Sequence, residues 1–475
     1  MDYENNQSIN SIIKNGRNPF KMTNQNLRYI GLLVYLLTLP MGVRSQSPLE
    51  DYIEQGLENN QQYIRQQLET RIALEENRIS KSFLTPDISF DASYLLAGGG
   101  RTIDFPLGDL FNPAYASLND LTGTQQFPTD IANISEQFLP NDFHETKIKI
   151  VQPILNTDIY YGVKASKANI SVAQAKEEAY RNQLIFQITK AYYDHMKVLE
   201  QKKVLDNTRL VLKESVRVNK KFVQYDVATK EVIYDAQAQL DQLDAQLANV
   251  TKGINTSRIF FNFLLNRDLG SPILKTDPSS IATALLDKGT LEQDAMANRS
   301  ELQQLDAGIV AQDLLLKKAK SFMVPEIGVG AEFGFQGFGY TFEGNQDYYL
   351  LSFNLNIPIL QGNRNSANIS KESLRKEQLE ADRIDVENQI KLEVATAFYE
   401  YQEAIEVYNA RTSELANARE NFKVIEAKYR ENQVLLIQFN EVRNALTTAE
   451  LQETIARYNI KIAEANIKRT TQNAL

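Results

Sequence analysis

Few side chains in this sequence have the type and spacing that chemistry requires. There is no cysteine among the 475 residues, which excludes disulfides, thiolate metal sites and cysteine nucleophiles. The two histidines are His144, in a predicted loop, and His195, on a predicted helix, and each fits an ordinary polar role better than a catalytic one. Gly98-Gly99-Gly100 lacks the lysine and the following helix of a phosphate-binding loop. The sequence therefore predicts no catalytic site, no metal site and no cofactor.

Composition narrows the class of protein further. The chain has 43% hydrophobic and 23% charged residues, which is too polar for a helical membrane protein. A net charge of -9 with no visible cluster of Lys and Arg disfavours nucleic acid as a partner.

The N-terminal region predicts export. Arg28 precedes the apolar run Tyr29 to Val43, which is shorter than the roughly 20 residues of a membrane-spanning helix and is typical of a secretory signal peptide. The leader before it is long, so we expect translation to begin at Met22 and cleavage to fall near Ser45. Residues 1–45 are thus interpreted as leader and signal peptide.

Two long stretches predict very long helices. No Gly or Pro occurs from Val163 to Lys252 or from Asn363 to the C-terminus, and these residues are the strongest helix breakers. Each stretch is interpreted as two antiparallel helices joined at a tip, near Tyr225 to Lys230 and near Tyr429 to Gln433. The alternative interpretation is an ordinary globular helix bundle, in which the apolar residues of these stretches form the core. Coiled-coil-like spacing of apolar residues is seen at Ile185, Ile188, Tyr192, Met196 and Leu199, and at Ile390, Val394, Ala397, Tyr401 and Ala404.

Between the helical regions, four segments alternate apolar and polar residues. Two start after Pro86 and Pro325, and two end at Pro153 and Pro358. Segments of about ten residues with one apolar face are typical of a membrane β-barrel, although a half-buried sheet on a soluble core is the alternative for each strand alone. Export and helix length favour the barrel.

Four strands cannot close a membrane barrel, since the smallest use about eight. Open strand edges cannot face lipid, so the chain is expected to form a symmetric oligomer. The segment Ala97 to Phe143, rich in Gly, Pro and Asn, is predicted to be a long external loop, with Gly339 to Gln346 as its shorter counterpart.

Several passages occur twice in the same order, which indicates an internal duplication joined near Gly270 to Arg299. A pair of Pro-Ile-Leu strand ends begins at Pro153 and Pro358. The other pairs are KSFLTPDIS at Lys81 with KSFMVPEIG at Lys320, TKAYYDHMKVLE at Thr189 with TAFYEYQEAIEV at Thr396, and Tyr225 with Tyr429.

The chain after its signal resembles the TolC-like outer-membrane efflux family. The resemblance is carried by these paired motifs, by YDV at Tyr225 and KYRENQ at Lys428, and by ANRSEL at Ala297, which faces LENNQQY at Leu57. The resemblance implies an α+β fold in which a homotrimer shares one β-barrel, four strands per protomer, continued by a long coiled-coil α-barrel. Strand-to-helix junctions are expected at Asn156 to Gly162, following Pro153, and at Gln361 to Arg364, containing Gly362. The expected organisation is N-terminal helices at 46–85, strands and external loop at 86–160, a helical hairpin at 161–269, an equatorial connector at 270–299, a helix at 300–324, strands at 325–361 and a second hairpin at 362–475.

In this family the helical tips close the channel and meet a periplasmic adaptor, which links to an inner-membrane transporter. Carried over, Tyr429 matches a family tyrosine and Glu441 an acidic position in the lumen, where three copies would favour cations. Gln438 stands where an acid is common, Asn432 replaces a glycine, and Tyr225 with Asp226 form the first tip. Glu441 as a solvated helix charge and Tyr429 as a packing residue are the alternatives.

The resemblance therefore implies a passive channel for efflux or secretion in the outer membrane of a Gram-negative bacterium, surrounded by lipid and with its helices in the periplasm. Two rivals come from other classes: an enzyme housed in a barrel lumen, and a secreted coiled-coil scaffold or adhesin. The sequence offers no catalytic motif for the first, and the second does not explain four amphipathic strands.

Overall fold

The structure, a computed structural model, describes residues 47–275, 285–340 and 345–472. The predicted signal peptide and the middle of the predicted connector lie outside the described residues. Up to residue 275 the elements are α1 Pro48–Asn59, α2 Gln61–Ser82, β1 Asp87–Leu95, β2 Thr102–Phe105, α3 Leu107–Thr122, β3 Ile134–Gln137, β4 Phe143–Leu155, α4 Thr157–Gln224 and α5 Glu231–Leu264. The later ones are α6 Lys288–Asn298, α7 Ser300–Lys320, β5 Glu326–Phe338, β6 Asp347–Asn356, α8 Arg364–Arg430 and α9 Leu436–Thr471.

Helices dominate the described part of the chain. The longest, α4 and α8, have 68 and 67 residues, so each is roughly 100 Å long at 1.5 Å per residue. The α4 helix packs against α1, α2, α5, α7 and α9, while α8 packs against α6, α7 and α9. No helix in the described ranges has the length and apolarity needed to span a membrane.

Both helical hairpins turn in the same way. The α4 helix ends at Gln224, and Asp226 has a left-handed φ of 56°. The α8 helix ends at Arg430, and Asn432 also has a φ of 56°. Asp and Asn tolerate this conformation better than other side chains.

The four long strands form one antiparallel sheet in the order β1-β4-β5-β6. Tight cross-strand contacts occur at its glycines: a Cβ on Gly334 would lie 2.3 Å from the backbone oxygen of Thr146. The sheet also joins the two repeats directly, because β4 from the first repeat pairs with β5 from the second.

The segment predicted as one long loop contains structure of its own. Helix α3 lies between β2 and β3, which pair with each other as a separate two-stranded sheet. Asn119 holds this segment together, because its side chain accepts from the backbone N–H of Phe127 at 3.0 Å and donates to the Phe127 carbonyl at 2.8 Å. Such local amide contacts are compatible with a sequence rich in Gly, Pro and Asn.

The junctions between strand and helix differ from the expectation. The α4 helix begins at Thr157 because Asn156 accepts the N–H of Ile159 at 3.0 Å and caps it. Gly162 consequently lies inside the helix rather than in a linker. The second junction is the longer one, since β6 ends at Asn356 and α8 begins after Gly362, whose φ is 61°.

The internal repeat is visible in the buried positions, and it corrects two of the sequence pairs. The tip hydrogen bonds from Asp226 to Val223 and from Asn432 to Tyr429 are equivalent, so Val223 rather than Tyr225 corresponds to Tyr429. The Thr189 and Thr396 passages are likewise misaligned by one residue. The spacing between Val223 and Tyr429 also relates four pairs of buried residues, which are Leu184 and Ile390, Ile188 and Val394, Ala191 and Ala397, and Tyr192 and Phe398.

Candidate functional site

One face of the four-stranded sheet is apolar and exposed. Two cross-strand rows lie on it, Ile88–Ile150–Ala331–Leu351 and Phe90–Ile148–Phe333–Tyr349. Tyr349 and Phe353 are 75% and 80% exposed. We call this surface the apolar sheet face. A contiguous apolar surface of this kind indicates contact with another protein or with lipid.

The opposite face is polar and internally paired. The Nζ atom of Lys147 lies 2.9 Å from a carboxylate oxygen of Glu145 and 3.1 Å from one of Glu332. Tyr348 donates to Glu145 at 3.1 Å. The sheet thus separates an apolar surface from a charged one.

The sheet has two open edges within the part of the chain that the structure describes. Strands β1 and β6 stand at the two ends of the strand order. Unpaired edge groups readily pair with another chain, so this sheet is suited to extension by further strands.

At the opposite end of the long helices, Tyr429 lies in an aromatic cluster at the second tip. Its ring stacks on Phe439 at 4.4 Å and meets Phe222 edge-on at 6.2 Å. Its hydroxyl donates to Oδ1 of Asn219 at 2.6 Å, and burial raises its pKa. Tyr429 therefore joins α8 and α9 to α4 within one protomer, as the packing alternative for this residue expects. Asn219 and Phe439 were not singled out in the sequence, although Phe439 follows the apolar helical spacing.

The other predicted tip residues are exposed. Asn432, Gln438 and Glu441 all lie on the surface at the start of α9 or in the turn before it. Tyr225 is 72% exposed, and the neighbouring Asp226 is exposed as well. The structure of one chain thus leaves these side chains available for neighbours or for a pore.

The predicted strand-end residues lie at the sheet. Pro86 and Pro325 immediately precede β1 and β5. Pro153 lies within β4, opposite Gly328 and beside a register shift, whereas Pro358 follows the end of β6.

The helix junctions near the middle of the molecule form a repeated polar contact. Asn60, between α1 and α2, donates to the carbonyl of Leu264 at 2.9 Å. Arg299, between α6 and α7, donates to the carbonyl of Thr470 at 3.2 Å and pairs with Glu301 and Glu393 at 2.9 and 3.0 Å. Each contact ties a helix junction to the last turn of the returning helix. This equivalence supports the pairing of the Leu57 and Ala297 motifs.

The two histidines are buried in packed environments. His144 lies in β4 and contacts Oε1 of Gln346 at 3.1 Å. His195 lies on α4, its Nδ1 is 2.8 Å from Oγ of Ser257, and burial lowers its pKa to about 4. Within the described ranges, no group of three or more His, Asp or Glu residues could hold a metal ion.

Comparison with known proteins identifies the fold. Residues 291–471 match the family model of the outer membrane efflux protein. No curated protein matches the chain. Among solved structures, the Campylobacter jejuni CmeC outer membrane channel is 14% identical with a TM-score of 0.74, covering 90% of this chain and 85% of that one. The Vibrio cholerae outer membrane protein VceC is 13% identical with a TM-score of 0.72, covering 90% and 96%. The Neisseria gonorrhoeae MtrE outer membrane channel, in its open state, is 14% identical with a TM-score of 0.71, covering 89% and 88%.

These matches confirm the resemblance to outer-membrane efflux proteins that the paired motifs indicated. The family match lies in the second repeat, and the structural matches extend the shared fold to nearly the whole described chain.

Proposed function

We propose that this protein is a passive, homotrimeric channel in the outer membrane of a Gram-negative bacterium, through which solutes are exported or proteins secreted. The observation that carries the proposal is the apolar sheet face, flanked by two open strand edges and followed by helices of roughly 100 Å. The fold it shares with outer-membrane channels supports the same function.

The strand count requires several copies of the chain, and the resemblance to TolC-like efflux proteins implies that there are three. Each chain supplies four strands to the sheet, and a membrane barrel needs about eight or more. Three copies would give twelve strands, with β1 of one protomer paired to β6 of the next. The apolar sheet face would then contact lipid, and the surface around Lys147 would face the water-filled interior.

The helices would continue this path through the periplasm. We propose that the two tips dock on a periplasmic adaptor that is bound to an energised inner-membrane transporter. Glu441, exposed near the start of α9, would line the narrow end of the pore in three copies and favour cations. The channel itself would bind no cofactor and catalyse no reaction, since its partners would supply the energy.

The alternative of a secreted coiled-coil scaffold explains the long helices alone. It leaves large apolar side chains such as Tyr349 and Phe353 in contact with water, which a soluble protein avoids. In the proposed channel, the apolar sheet face would contact membrane lipid instead of water.

Single-channel recording in planar bilayers tests the proposal, after the mass of the detergent-solubilised protein has been measured. We expect three chains per particle and a low-conductance pore that prefers cations. The Glu441→Gln variant should lose part of that preference, whereas Glu420→Gln, an exposed carboxylate on α8, should keep it. Tyr429→Ala should raise the conductance by loosening the tip. A monomeric protein that is soluble without detergent would contradict the channel and support the scaffold.

A further inference from the structure

A polar pocket lies between α4, α5 and α9, farther from the hairpin tips than the aromatic cluster around Tyr429. Its volume is 220 Å³. None of its lining residues is an Asp or a Glu. Its polar wall consists mainly of amide and hydroxyl side chains, among them Thr208, Gln239, Gln242, Gln246, Asn444 and Thr448.

The pocket contains one cation, Arg443, which is only 3% exposed. Its Nη2 atom donates to Oε1 of Gln239 at 3.0 Å and to Oδ1 of Asn444 at 2.8 Å. Its Nε atom is buried and has no hydrogen-bond partner. Burial lowers the pKa of Arg443 to about 10, which leaves the guanidinium charged at neutral pH.

A second buried arginine shows what is missing at this position. Arg299 is 4% exposed, much like Arg443, but two carboxylates pair with it, those of Glu301 and Glu393. No carboxylate forms an ion pair with Arg443 within the described part of the chain. A buried charge without a partner of opposite sign is strongly destabilising, so structures that contain one usually provide a counter-ion.

The pocket offers what a small anion needs. The N–H groups of a guanidinium are strong donors to anions. Gln242 and Gln246 are exposed at the rim, where their side-chain amides are available as further donors. A space of 220 Å³ accommodates a halide ion with some of its water, since a water molecule takes about 30 Å³ of liquid volume.

We propose that this pocket binds a small inorganic anion of the chloride class against the guanidinium of Arg443. The anion neutralises the buried charge and holds α5 and α9, the returning helices of the two hairpins, together on α4. The site is built from one chain, so it does not depend on the proposed trimer or on transport.

Bromide, which replaces chloride and scatters anomalously, is the probe for this site. We expect crystals of the wild-type protein grown in sodium bromide to show an anomalous peak within hydrogen-bonding distance of Arg443. The peak should disappear in Arg443→Gln and persist in the matched control Arg411→Gln, which removes a half-exposed arginine paired with Glu414.

Hydrogen exchange in solution provides the second readout. Replacing sodium chloride by sodium gluconate at equal ionic strength should speed amide exchange severalfold in α5 and α9 around Gln239 and Arg443. The Arg443→Gln variant should show the same exchange in both salts. Well-ordered wild-type crystals without a bromide peak at Arg443, or with a carboxylate of a neighbouring copy in the pocket, would overturn the proposal, and so would chloride sensitivity that survives in Arg443→Gln.

Discussion

At the residue scale, His195 links stability to pH. Its side chain is 3% exposed and lies 2.8 Å from Ser257, and burial, with a contribution from Arg258, lowers its pKa to about 4 from an ordinary 6.5. Between these two pH values, His195 is therefore protonated in the unfolded chain and neutral in the folded chain. The stabilising contribution of neutral His195 is complete above pH 6.5 and is lost as the pH falls toward 4, by at most about 1.4 kcal/mol per pH unit.

Urea unfolding at pH 7 and pH 5 checks this prediction. Carboxylates also titrate as the pH falls, so the useful quantity is the difference between the wild type and His195→Gln. That variant should lose less stability than the wild type between pH 7 and pH 5. An equal loss in both proteins would show that His195 does not titrate in this range.

The buried hydrogen bond of Tyr429 is also measurable. Tyr429→Phe keeps the ring stacked on Phe439 but leaves Oδ1 of Asn219, a residue only 1% exposed, without its 2.6 Å donor. An unsatisfied buried acceptor costs about 1–3 kcal/mol. Amide exchange near the second tip should accelerate about tenfold or more. Tyr399→Phe, at a tyrosine that is 58% exposed, is the control and should change exchange little.

At the element scale, the two tips depend on one left-handed residue each. Asn432 has a φ of 56°, a conformation that glycine adopts freely and β-branched residues resist. Asn432→Gly should retain the stability of the hairpin, whereas Asn432→Val should lower the free energy of unfolding by about 1–2 kcal/mol. Urea unfolding compares the two, with Asn417→Val at an exposed position inside α8 as a control for introducing a β-branched side chain. Equal effects of Gly and Val at position 432 would contradict the role of the turn.

The sequence predicted the long helices and the four strands of the main sheet because each follows a local rule, whereas α3, β2 and β3 lie in the segment that was predicted to be a loop. Missing Gly and Pro predicted α4 and α8, and alternation predicted the four strands of the main sheet. The repeat register was harder, because matching by residue type paired Tyr225 with Tyr429. Burial and turn hydrogen bonds decide the real register, in which Val223 is the counterpart. The contact of Asn219 with Tyr429 and the pocket around Arg443 join distant parts of the chain, so no local pattern indicates them.

At the scale of the whole molecule, the structure combines two surfaces suited to different solvents. The sheet carries large apolar side chains on its exposed face, while the exposed surfaces of the long helices carry many short-range ion pairs such as Lys190 with Asp194 and Arg430 with Glu426. Exposed pairs of this kind add little stability, but their charged groups make the helical surface compatible with water. The chain therefore combines an apolar surface at the sheet with a charged, water-compatible surface along the helices, as the proposed channel requires.

This organisation predicts that two neighbouring positions on β6 respond oppositely to a new charge. Phe353 lies on the apolar sheet face, and Asn354 points to the other side of the same strand. An arginine facing lipid near the centre of a bilayer costs about 2–4 kcal/mol, and a symmetric trimer would bear that cost in each protomer. Phe353→Arg should therefore deplete the trimer from the outer-membrane fraction, measured by fractionation and by the mobility of unheated samples on gels. Asn354→Arg, with the same charge facing the proposed water-filled interior, should accumulate like the wild type. Normal membrane accumulation of Phe353→Arg would show that this face does not meet lipid, and loss of both variants would show a general sensitivity of β6 to charge.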